Sequence, residues 1–423
     1  MKTLSYSREI PLGEETDVIV CGGGPAGIGA AAGAARAGAR VTLLEQYGFL
    51  GGMATAGLVL PFGDTQPAIA RELFDRLEAR GAANGWNYDP ETFKLEANEL
   101  LLEAGVELRF HTAFCDVMMS GNAVKGVVAL SKSGLEALPC RVVIDCTADG
   151  DVAASAGAEF SKGRSDGRMQ PVTLMFRMGG IDLERYRNYE QSDDRMEKAL
   201  TKARDAGDVS PFTCSVMGFV PVPGGREVVI NLSNFPGIDG TNARDLSRAE
   251  IETRREVFRI TAALRKYVPG FEQAYLIDTA AHLGVRETRQ IIGEYVLTAE
   301  DIFEAKKFED GVARNIFEID IHPLDGIGRA SHTAKEVFRA KEPWVDIPYR
   351  CLVPRKIDNI LVAGRCFSAT HEAMGAARRM GPCMDMGHAA GAAAGLAARQ
   401  NIKPREISAA AVQQELQRQN ASG

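Results

Sequence analysis

The sequence lacks closely spaced cysteines. Its eight cysteines are scattered without a C-x-x-C pair, which argues against an iron–sulfur cluster, a zinc ribbon and a dithiol redox centre. His282, His322 and His371 show no metal-ligand spacing either. The sequence therefore predicts no metal site, and it predicts that most of the thiols are small buried apolar groups.

Long apolar runs and an excess of positive charge are also absent. No stretch reaches the roughly 18 to 20 apolar residues that a membrane span needs, and the first twelve residues lack the apolar segment of a secretory signal. The net charge is −7, with both signs mixed along the chain, so no basic patch is visible. We expect a soluble, cytoplasmic protein with no membrane span and no nucleic-acid partner.

The 423 residues are 45% hydrophobic, enough for a large core and, as a prior, two or three domains. Two buried strands, Val18–Val20 and Val41–Leu44, flank a predicted helix over Pro25–Ala37. The same strand–turn–helix pattern returns after residue 359. Further helices are predicted around 71–80, 97–103, 182–206 and 245–266.

This order of elements predicts an α/β protein with three segments. Residues 1–162 form the N-terminal part of a Rossmann-like nucleotide-binding domain, and residues 326–423 complete it. Between them, residues 163–325 change to apolar runs broken by Pro and Gly, which is typical of an inserted sheet-and-helix domain for the substrate.

A glycine fingerprint follows the first strand. Its glycines have the spacing G-x-G-x-x-G, and Glu45 stands about 20 residues further on, at the end of the next strand. Glycines in these places allow a tight turn, approach to a pyrophosphate and close helix packing, while the acid accepts from a ribose hydroxyl. The predicted dinucleotide contacts are Gly22, Gly24, Pro25, Ala26, Gly27 and Glu45.

The stretch "DVIVCGGGPAGIGAA…RVTLLEQYGFLGGMATAGLV" resembles the N-terminus of FAD-dependent oxidoreductases with the glutathione-reductase-like FAD fold, in the branch of fumarate reductase and succinate dehydrogenase flavoproteins. "VVIDCTADGD" and the segment 358–395 resemble two further cofactor-binding stretches of that family. The resemblance implies FAD, and it adds as contacts Gly51, Gly52, Met53, Ala148, Asp149, Gly364, Arg365, Gly381, Pro382 and Cys383.

Two absences refine the expected cofactor chemistry. No His occurs between Glu45 and Gly63, where several fumarate reductase relatives carry a flavin-linked His, so we expect non-covalent FAD. No second glycine fingerprint appears where disulfide reductases place a nicotinamide domain. A small-residue helix after Pro382 could point its positive end at the flavin.

The same resemblance implies three catalytic residues. "GVRETR" is similar to a family segment whose arginine serves proton transfer, which implies Arg286; "THEAMGAARRMG" is similar to a carboxylate-binding segment, which implies His371 and Arg379. The sequence departs from both motifs, with Val in place of Pro in the first and with Gly and Asn missing from the second. An alternative is that Arg286, Arg289, Arg378 and Arg379 hold helix ends or pair with Glu287 and Glu372.

The resulting prediction is an FAD-dependent oxidoreductase that transfers a hydride between flavin N5 and a small polar substrate: a carboxylate, an alcohol or a sugar-like molecule. One alternative is a flavin-dependent isomerase or hydratase without net redox change. Another is an FAD-binding electron-relay subunit. The expected partners are the small-molecule substrate and an electron acceptor that the sequence does not identify, and a homo-oligomer is left open.

Overall fold

A computed structural model describes residues 4–63, 68–190, 195–213, 219–225, 227–325, 331–333 and 344–421. Residue 326, where the sequence predicts the C-terminal segment to begin, lies outside these ranges. Within them, no helix is both long enough and apolar enough to cross a bilayer.

Strands and helices alternate through much of the chain. The strands are β1 Thr16–Cys21, β2 Val41–Leu44, β3 Ala83–Asn84, β4 Asn87–Tyr88, β5 Glu107–Arg109, β6 Thr112–Ser120, β7 Ala123–Ser131, β8 Gly134–Asp145, β9 Phe160–Lys162, β10 Phe176–Gly179, β11 Phe219–Pro221, β12 Val228–Ile230, β13 Tyr275–Thr279, β14 Arg289–Ile291, β15 Gly311–Asn315, β16 Ile319–Ile321, β17 Ser331–Thr333, β18 Val345–Pro348 and β19 Ile360–Val362. The helices are α1 Pro25–Arg36, α2 Ala68–Ala79, α3 Pro90–Glu103, α4 Asp151–Ser155, α5 Leu183–Glu190, α6 Arg195–Asp205, α7 Ala243–Tyr267, α8 Ala299–Phe303, α9 His371–Ala377, α10 Met380–Gln400 and α11 Ala409–Ala421.

The main sheet is a parallel core with an antiparallel extension, in the order β5-β2-β1-β8-β7-β6. The first half of β8 pairs antiparallel with β7, and its second half pairs parallel with β1 and β19. Strand β19 therefore brings the chain back, after more than 200 residues, to the sheet in which it began. The predicted Rossmann-like α/β core is confirmed by this parallel sheet.

Helices α1 and α10 pack against each other almost without side chains between them. A Cβ on Gly387 would lie 1.9 Å from the Ala26 carbonyl oxygen, and one on Gly391 would lie 2.1 Å from that of Ala30. Larger residues at these two positions would force the helices apart. The alanine- and glycine-rich sequence of α10 thus holds its N-terminus close to the N-terminus of α1.

A second, antiparallel sheet has the order β11-β12-β10-β13, and α7 packs against its edge strand β13. On one face of this sheet Leu174, Phe176 and Ile230 are fully buried in the core. All four strands come from the middle of the chain, within residues 163–325. The three-segment division of the chain stays a prediction, since the sheets alone do not define its boundaries.

Candidate cofactor and substrate site

The site lies at the carboxyl-terminal edge of the main sheet, where parallel α/β sheets bind their ligands. Strands β1, β2, β8 and β19 all end there, because they run parallel to one another. A cavity of about 1160 Å³ opens at this edge. The predicted contacts that line it are Gly22, Gly24, Pro25, Ala26, Glu45, Gly52, Met53, Ala148, Asp149, Gly364, Arg365 and Cys383, together with the predicted catalytic residues Arg286 and Arg379.

The glycine loop leaves an open channel at the N-terminus of α1. A Cβ on Gly24 would meet nothing nearer than the Gly52 Cα, at 3.9 Å, whereas one on Gly27 would lie 1.8 Å from the Gly22 carbonyl oxygen. Gly51, which is not among the lining residues, donates its N–H to the Gly23 carbonyl oxygen over 2.8 Å and holds the two loops together. The open channel at the helix N-terminus suits a pyrophosphate.

Glu45 is held by the loop that precedes α1. Its Oε2 accepts the N–H of Gly23 at 2.7 Å, and its Oε1 accepts the N–H of Tyr47 at 2.9 Å. Burial raises the pKa of this carboxyl, while the two backbone donors oppose the rise. Each carboxylate oxygen has a second lone-pair direction, so both can still accept a ribose hydroxyl.

On another wall of the cavity, one carboxylate links three segments of the chain. Asp149 Oδ1 accepts from Arg365 Nη2 at 2.5 Å and from the Thr288 hydroxyl at 2.7 Å, and Arg365 Nη1 also donates to that hydroxyl. Asp149 follows β8, Thr288 precedes β14 and Arg365 follows β19. The network therefore fixes the segment that carries Arg286 against the main sheet.

The N-terminus of α10 meets the cavity at Met380 and Cys383, whereas the predicted contacts Gly381 and Pro382 are not among the lining residues. Pro382 occupies the first turn, as the sequence predicts, where its missing N–H costs no helix bond. Burial raises the pKa of the Cys383 thiol to about 12, so this sulfur is not a thiolate at neutral pH. The positive end of a 21-residue helix is thus directed at the cavity.

Arg286 reaches the cavity from the middle of the chain. Its Nη1 donates to the Pro171 carbonyl oxygen at 2.5 Å, and its Nη2 donates to the Thr173 hydroxyl at 2.8 Å. Both acceptors are uncharged, so these two bonds orient the guanidinium without supplying a negative charge.

Arg378 and Arg379 share one carboxylate. Each places Nη2 3.5 Å from Asp320 Oδ2, and Arg378 also donates to the Asp320 carbonyl oxygen at 2.9 Å. Burial lowers the pKa of Arg378, and the nearby Asp320 opposes that shift. Arg379 is more open, with 29% of its side chain exposed and its guanidinium above the Phe317 ring. Arg379 is therefore the cation of this pair that is better placed for a ligand.

His371 does not join the two arginines at the cavity wall. Its Nδ1 lies 2.5 Å from Oε1 of Glu287, whose side chain is fully buried, and His371 is not among the lining residues. Of the three predicted catalytic residues, Arg286 and Arg379 line the cavity and His371 does not. Arg286 and Thr288 bond to the cavity-lining residues Thr173 and Asp149, whereas Glu287 between them bonds to His371.

Sequence reasoning missed several polar residues that line the cavity, because they belong to no motif. Four of them are Thr173, Asn231, Asp320 and His322. His322 Nε2 lies 3.6 Å from Asp320 Oδ1, and its backbone N–H donates to Gln170 Oε1 at 3.0 Å. All four come from the segment predicted to serve the substrate. Across the described ranges, no cluster of acids, thiols or imidazoles is arranged to hold a metal ion.

Open backbone at the α1 N-terminus, an acid with spare lone pairs and a second helix N-terminus fit the pyrophosphate, ribose and ring of FAD. A family model described as FAD dependent oxidoreductase matches residues 17–416. The chain belongs to that family. Membership of this family makes the protein an enzyme, and it makes FAD its cofactor.

The individual proteins that match are only distantly related to this chain. The chain is 37% identical over 130 residues to a thiamine thiazole synthase of Aeropyrum pernix, a match that covers 30% of this chain and 48% of the relative. The match thus spans about half the length of that curated protein. A geranylgeranyl bacteriochlorophyll reductase-like protein from Thermoplasma acidophilum has a similar structure, with a TM-score of 0.50, 13% identity and coverage of 97% of this chain and 84% of that chain.

A triple mutant of the flavin-dependent brominase Bmp2 has the same TM-score of 0.50 and 13% identity, and the match covers 96% of this chain and 84% of the brominase. At this identity both structures show a shared fold alone, because one fold serves many reactions. The substrate must therefore be inferred from the residues that line the cavity.

Proposed function

We propose that this enzyme binds FAD non-covalently and exchanges a hydride between the flavin and a small polar substrate that carries a carboxylate. The observation that carries the proposal is the entry of Arg286 and Arg379 into the cavity that the glycine loop and Glu45 also line. Two guanidinium groups from distant segments provide charged donors for a carboxylate. When bound, FAD supplies the hydride acceptor or donor at its N5 atom.

In this proposal, the residues of the chain bind the cofactor and orient the substrate. Gly24 and Gly52 leave room for the pyrophosphate, and Glu45 accepts from the ribose hydroxyls. The N-terminus of α10, beginning at Met380, would stabilise negative charge on a flavin ring bound beside it. Arg379 and Arg286 hold the substrate anion.

His371 acts in this proposal through its partner rather than on the substrate. Its buried hydrogen bond to Glu287 fixes the backbone between Arg286 and Thr288 and so orients Arg286. His371 is thus a positioning residue. A carboxylate-binding role for His371 would need its Nε2 to reach the cavity, which the ring does not line.

Anaerobic reduction of the purified holoprotein tests the proposal. Small organic acids, alcohols and sugars are added one at a time, and loss of the oxidised-flavin absorbance is followed. We expect bleaching by at least one small acid, and turnover of that acid with an artificial electron-accepting dye. Bleaching only by neutral sugars or alcohols would contradict the carboxylate, and turnover of a substrate without any bleaching would favour an isomerase or hydratase. Reduction only by a partner redox protein would favour an electron-relay subunit.

Covalent attachment is tested separately. Acid or heat should release intact FAD from the purified protein, because no linking His stands between Glu45 and Gly63. Flavin that stays with the precipitated chain would contradict non-covalent binding.

A further inference from the structure

We propose that Thr173 is a positioning residue of the carboxylate site: its hydroxyl sets the direction in which Arg286 presents its guanidinium group to the substrate. The inference rests on the proposed function, in which Arg286 binds the substrate carboxylate. Both residues line the cavity, and Thr173 Oγ1 accepts from Arg286 Nη2 at 2.8 Å.

The backbone of Thr173 is held from two sides. Its N–H donates to the Gly284 carbonyl oxygen at 3.2 Å, and the Gly284 N–H donates back to the Thr173 carbonyl oxygen at 2.7 Å. The preceding residue, Val172, exchanges the same two bonds with Phe235, at 3.0 and 2.9 Å. Thr173 is only 3% exposed, and a β-branched side chain has few allowed χ1 rotamers. The hydroxyl is therefore an acceptor with a fixed position.

The backbone of Arg286 is fixed by a side chain. Pro171 and Arg286 each lie two residues along their chains from the Thr173–Gly284 bridge, and a regular antiparallel ladder would pair them next. Proline has no N–H to donate to the facing carbonyl. The Arg286 carbonyl oxygen accepts from Arg378 Nη1 at 3.2 Å instead. Arg286 is thus anchored at its main chain before its side chain reaches the cavity.

Two acceptors fix the tip of the Arg286 side chain. The Pro171 carbonyl oxygen takes Nη1 at 2.5 Å, and the Thr173 hydroxyl takes Nη2. The guanidinium group is planar, so bonds at two different nitrogens restrict both its plane and its direction. Of these two acceptors, the Thr173 hydroxyl is the one that a side-chain substitution removes. Its loss should weaken carboxylate binding because the positive charge is misdirected, although the charge itself remains.

Binding of small acids to the oxidised holoprotein tests the assignment. Acetate, propionate, butyrate and phenylacetate are titrated, and the Kd of the tightest is read from the perturbed flavin spectrum. Thr173→Val has a similar shape and lacks the oxygen. We expect it to raise this Kd about ten-fold, comparable to the loss of one hydrogen bond, at unchanged flavin content. Thr173→Ser keeps the oxygen and should restore most of the affinity.

Thr201→Val is the matched control. The Thr201 hydroxyl also accepts from an arginine, Arg204 Nη2, at 2.8 Å, but Thr201 is not among the lining residues. This variant should leave the Kd unchanged. Thr173→Ala removes the same oxygen without placing a methyl group beside the guanidinium, and it should raise the Kd by a similar factor. The test therefore survives if Thr173→Val does not fold.

A double-mutant cycle with Arg286→Ala separates positioning from direct contact. If Thr173 acts through Arg286, then Thr173→Val should cause no further loss of affinity once the guanidinium has been removed. Additive losses would mean that the hydroxyl binds the acid itself, and they would overturn the positioning role.

The outcomes separate the inference from the proposed function. An unchanged Kd in Thr173→Val and Thr173→Ala, with weaker binding in Arg286→Ala, would overturn the role of Thr173 while the proposed carboxylate site stands. An equal loss in Thr173→Ser and Thr173→Val would also overturn it, because the serine keeps the acceptor. If no acid binds, or if Arg286→Ala binds acids as tightly as the wild type, Arg286 does not hold a carboxylate and both proposals fail.

Discussion

His371 and Glu287 form a buried pair 84 residues apart in the chain, with His371 Nδ1 2.5 Å from Glu287 Oε1. The pair joins the first residue of α9 to the short segment that carries Arg286 and Thr288. One neighbour, Arg286, lines the cavity, and the other, Thr288, bonds to Asp149. The pair thus anchors the segment that makes both of these contacts.

Removing His371 should destabilise the protein before it affects chemistry. His371→Ala removes one hydrogen-bond partner of the buried Glu287 carboxylate, a loss of about 1 to 3 kcal/mol in the free energy of unfolding. Urea unfolding of the holoprotein measures this loss. The double variant His371→Leu with Glu287→Met is the control, because it removes both members of the pair; it should recover part of the stability, since the Gln170 N–H also loses Glu287 Oε2 as its acceptor. A direct substrate role would appear instead as lost turnover at unchanged stability.

Local patterns in the sequence predicted the nucleotide-binding half well. The helix predicted over Pro25–Ala37 spans Pro25–Arg36, and the strand predicted over Val41–Leu44 has those bounds. Strand alternation and the glycine spacing are properties of neighbouring residues, so they can be read without the fold. The same holds for Pro382, whose place in the first turn of α10 follows from its missing N–H.

The substrate side could not be predicted in this way. Asp320 approaches Arg378 and Arg379 only because β16 packs beside α9. No spacing in the sequence encodes such contacts. His371 matched a motif, but its buried hydrogen-bond partner Glu287 could not be identified before the fold was known.

Glu45→Ala should weaken FAD retention. The variant removes the acceptor for the ribose hydroxyls and also leaves the N–H groups of Gly23 and Tyr47 without their partner. We expect a loss on the order of 1 to 3 kcal/mol in FAD binding free energy. Equilibrium dialysis of the apoprotein against FAD measures it, with Glu91→Ala on the exposed side of α3 as the control. Equal affinity in both variants would show that Glu45 does not contact the ribose.

NADH should reduce the flavin slowly or not at all. The sequence has no second glycine fingerprint for a nicotinamide domain. Stopped-flow mixing of the holoprotein with micromolar NADH under anaerobic conditions checks this expectation. Fast, stoichiometric bleaching would mean that the large cavity also accepts a nicotinamide.

His388 should make the protein less stable as the pH falls. Burial lowers the pKa of this imidazole to about 4, and its Nε2 lies 2.7 Å from Gln419 Oε1. In the unfolded chain this residue has the ordinary His pKa of about 6.5. Between that pH and 4, the unfolded chain therefore binds a proton here and the folded chain does not. The stability from this group is present above pH 6.5 and is lost as the pH falls towards 4, by about 3 kcal/mol in all. Chemical unfolding of wild type and His388→Gln across this range measures the effect: the free energy of unfolding should fall more steeply with falling pH in the wild type than in the variant, which lacks the His388 contribution.

Arg379→Gln should lower turnover while leaving the cofactor in place. Arg379 lines the cavity, is partly open to it and lies at the start of α10, but it makes no side-chain cap for that helix. Its loss should therefore spare folding and FAD content and reduce kcat/KM by an amount equivalent to about 2 to 4 kcal/mol, as expected for a charged substrate contact.

Arg378→Gln is the matched comparison for Arg379→Gln. Arg378 is buried and donates to the backbone oxygens of Asp320 and Arg286, so its replacement should lower the thermal midpoint as well as turnover. Steady-state kinetics with the acid identified by flavin bleaching, together with the ratio of flavin to protein absorbance, separate the two effects. If Arg379→Gln loses flavin before it loses turnover, Arg379 supports the cofactor site, and the substrate carboxylate must be held by Arg286 alone.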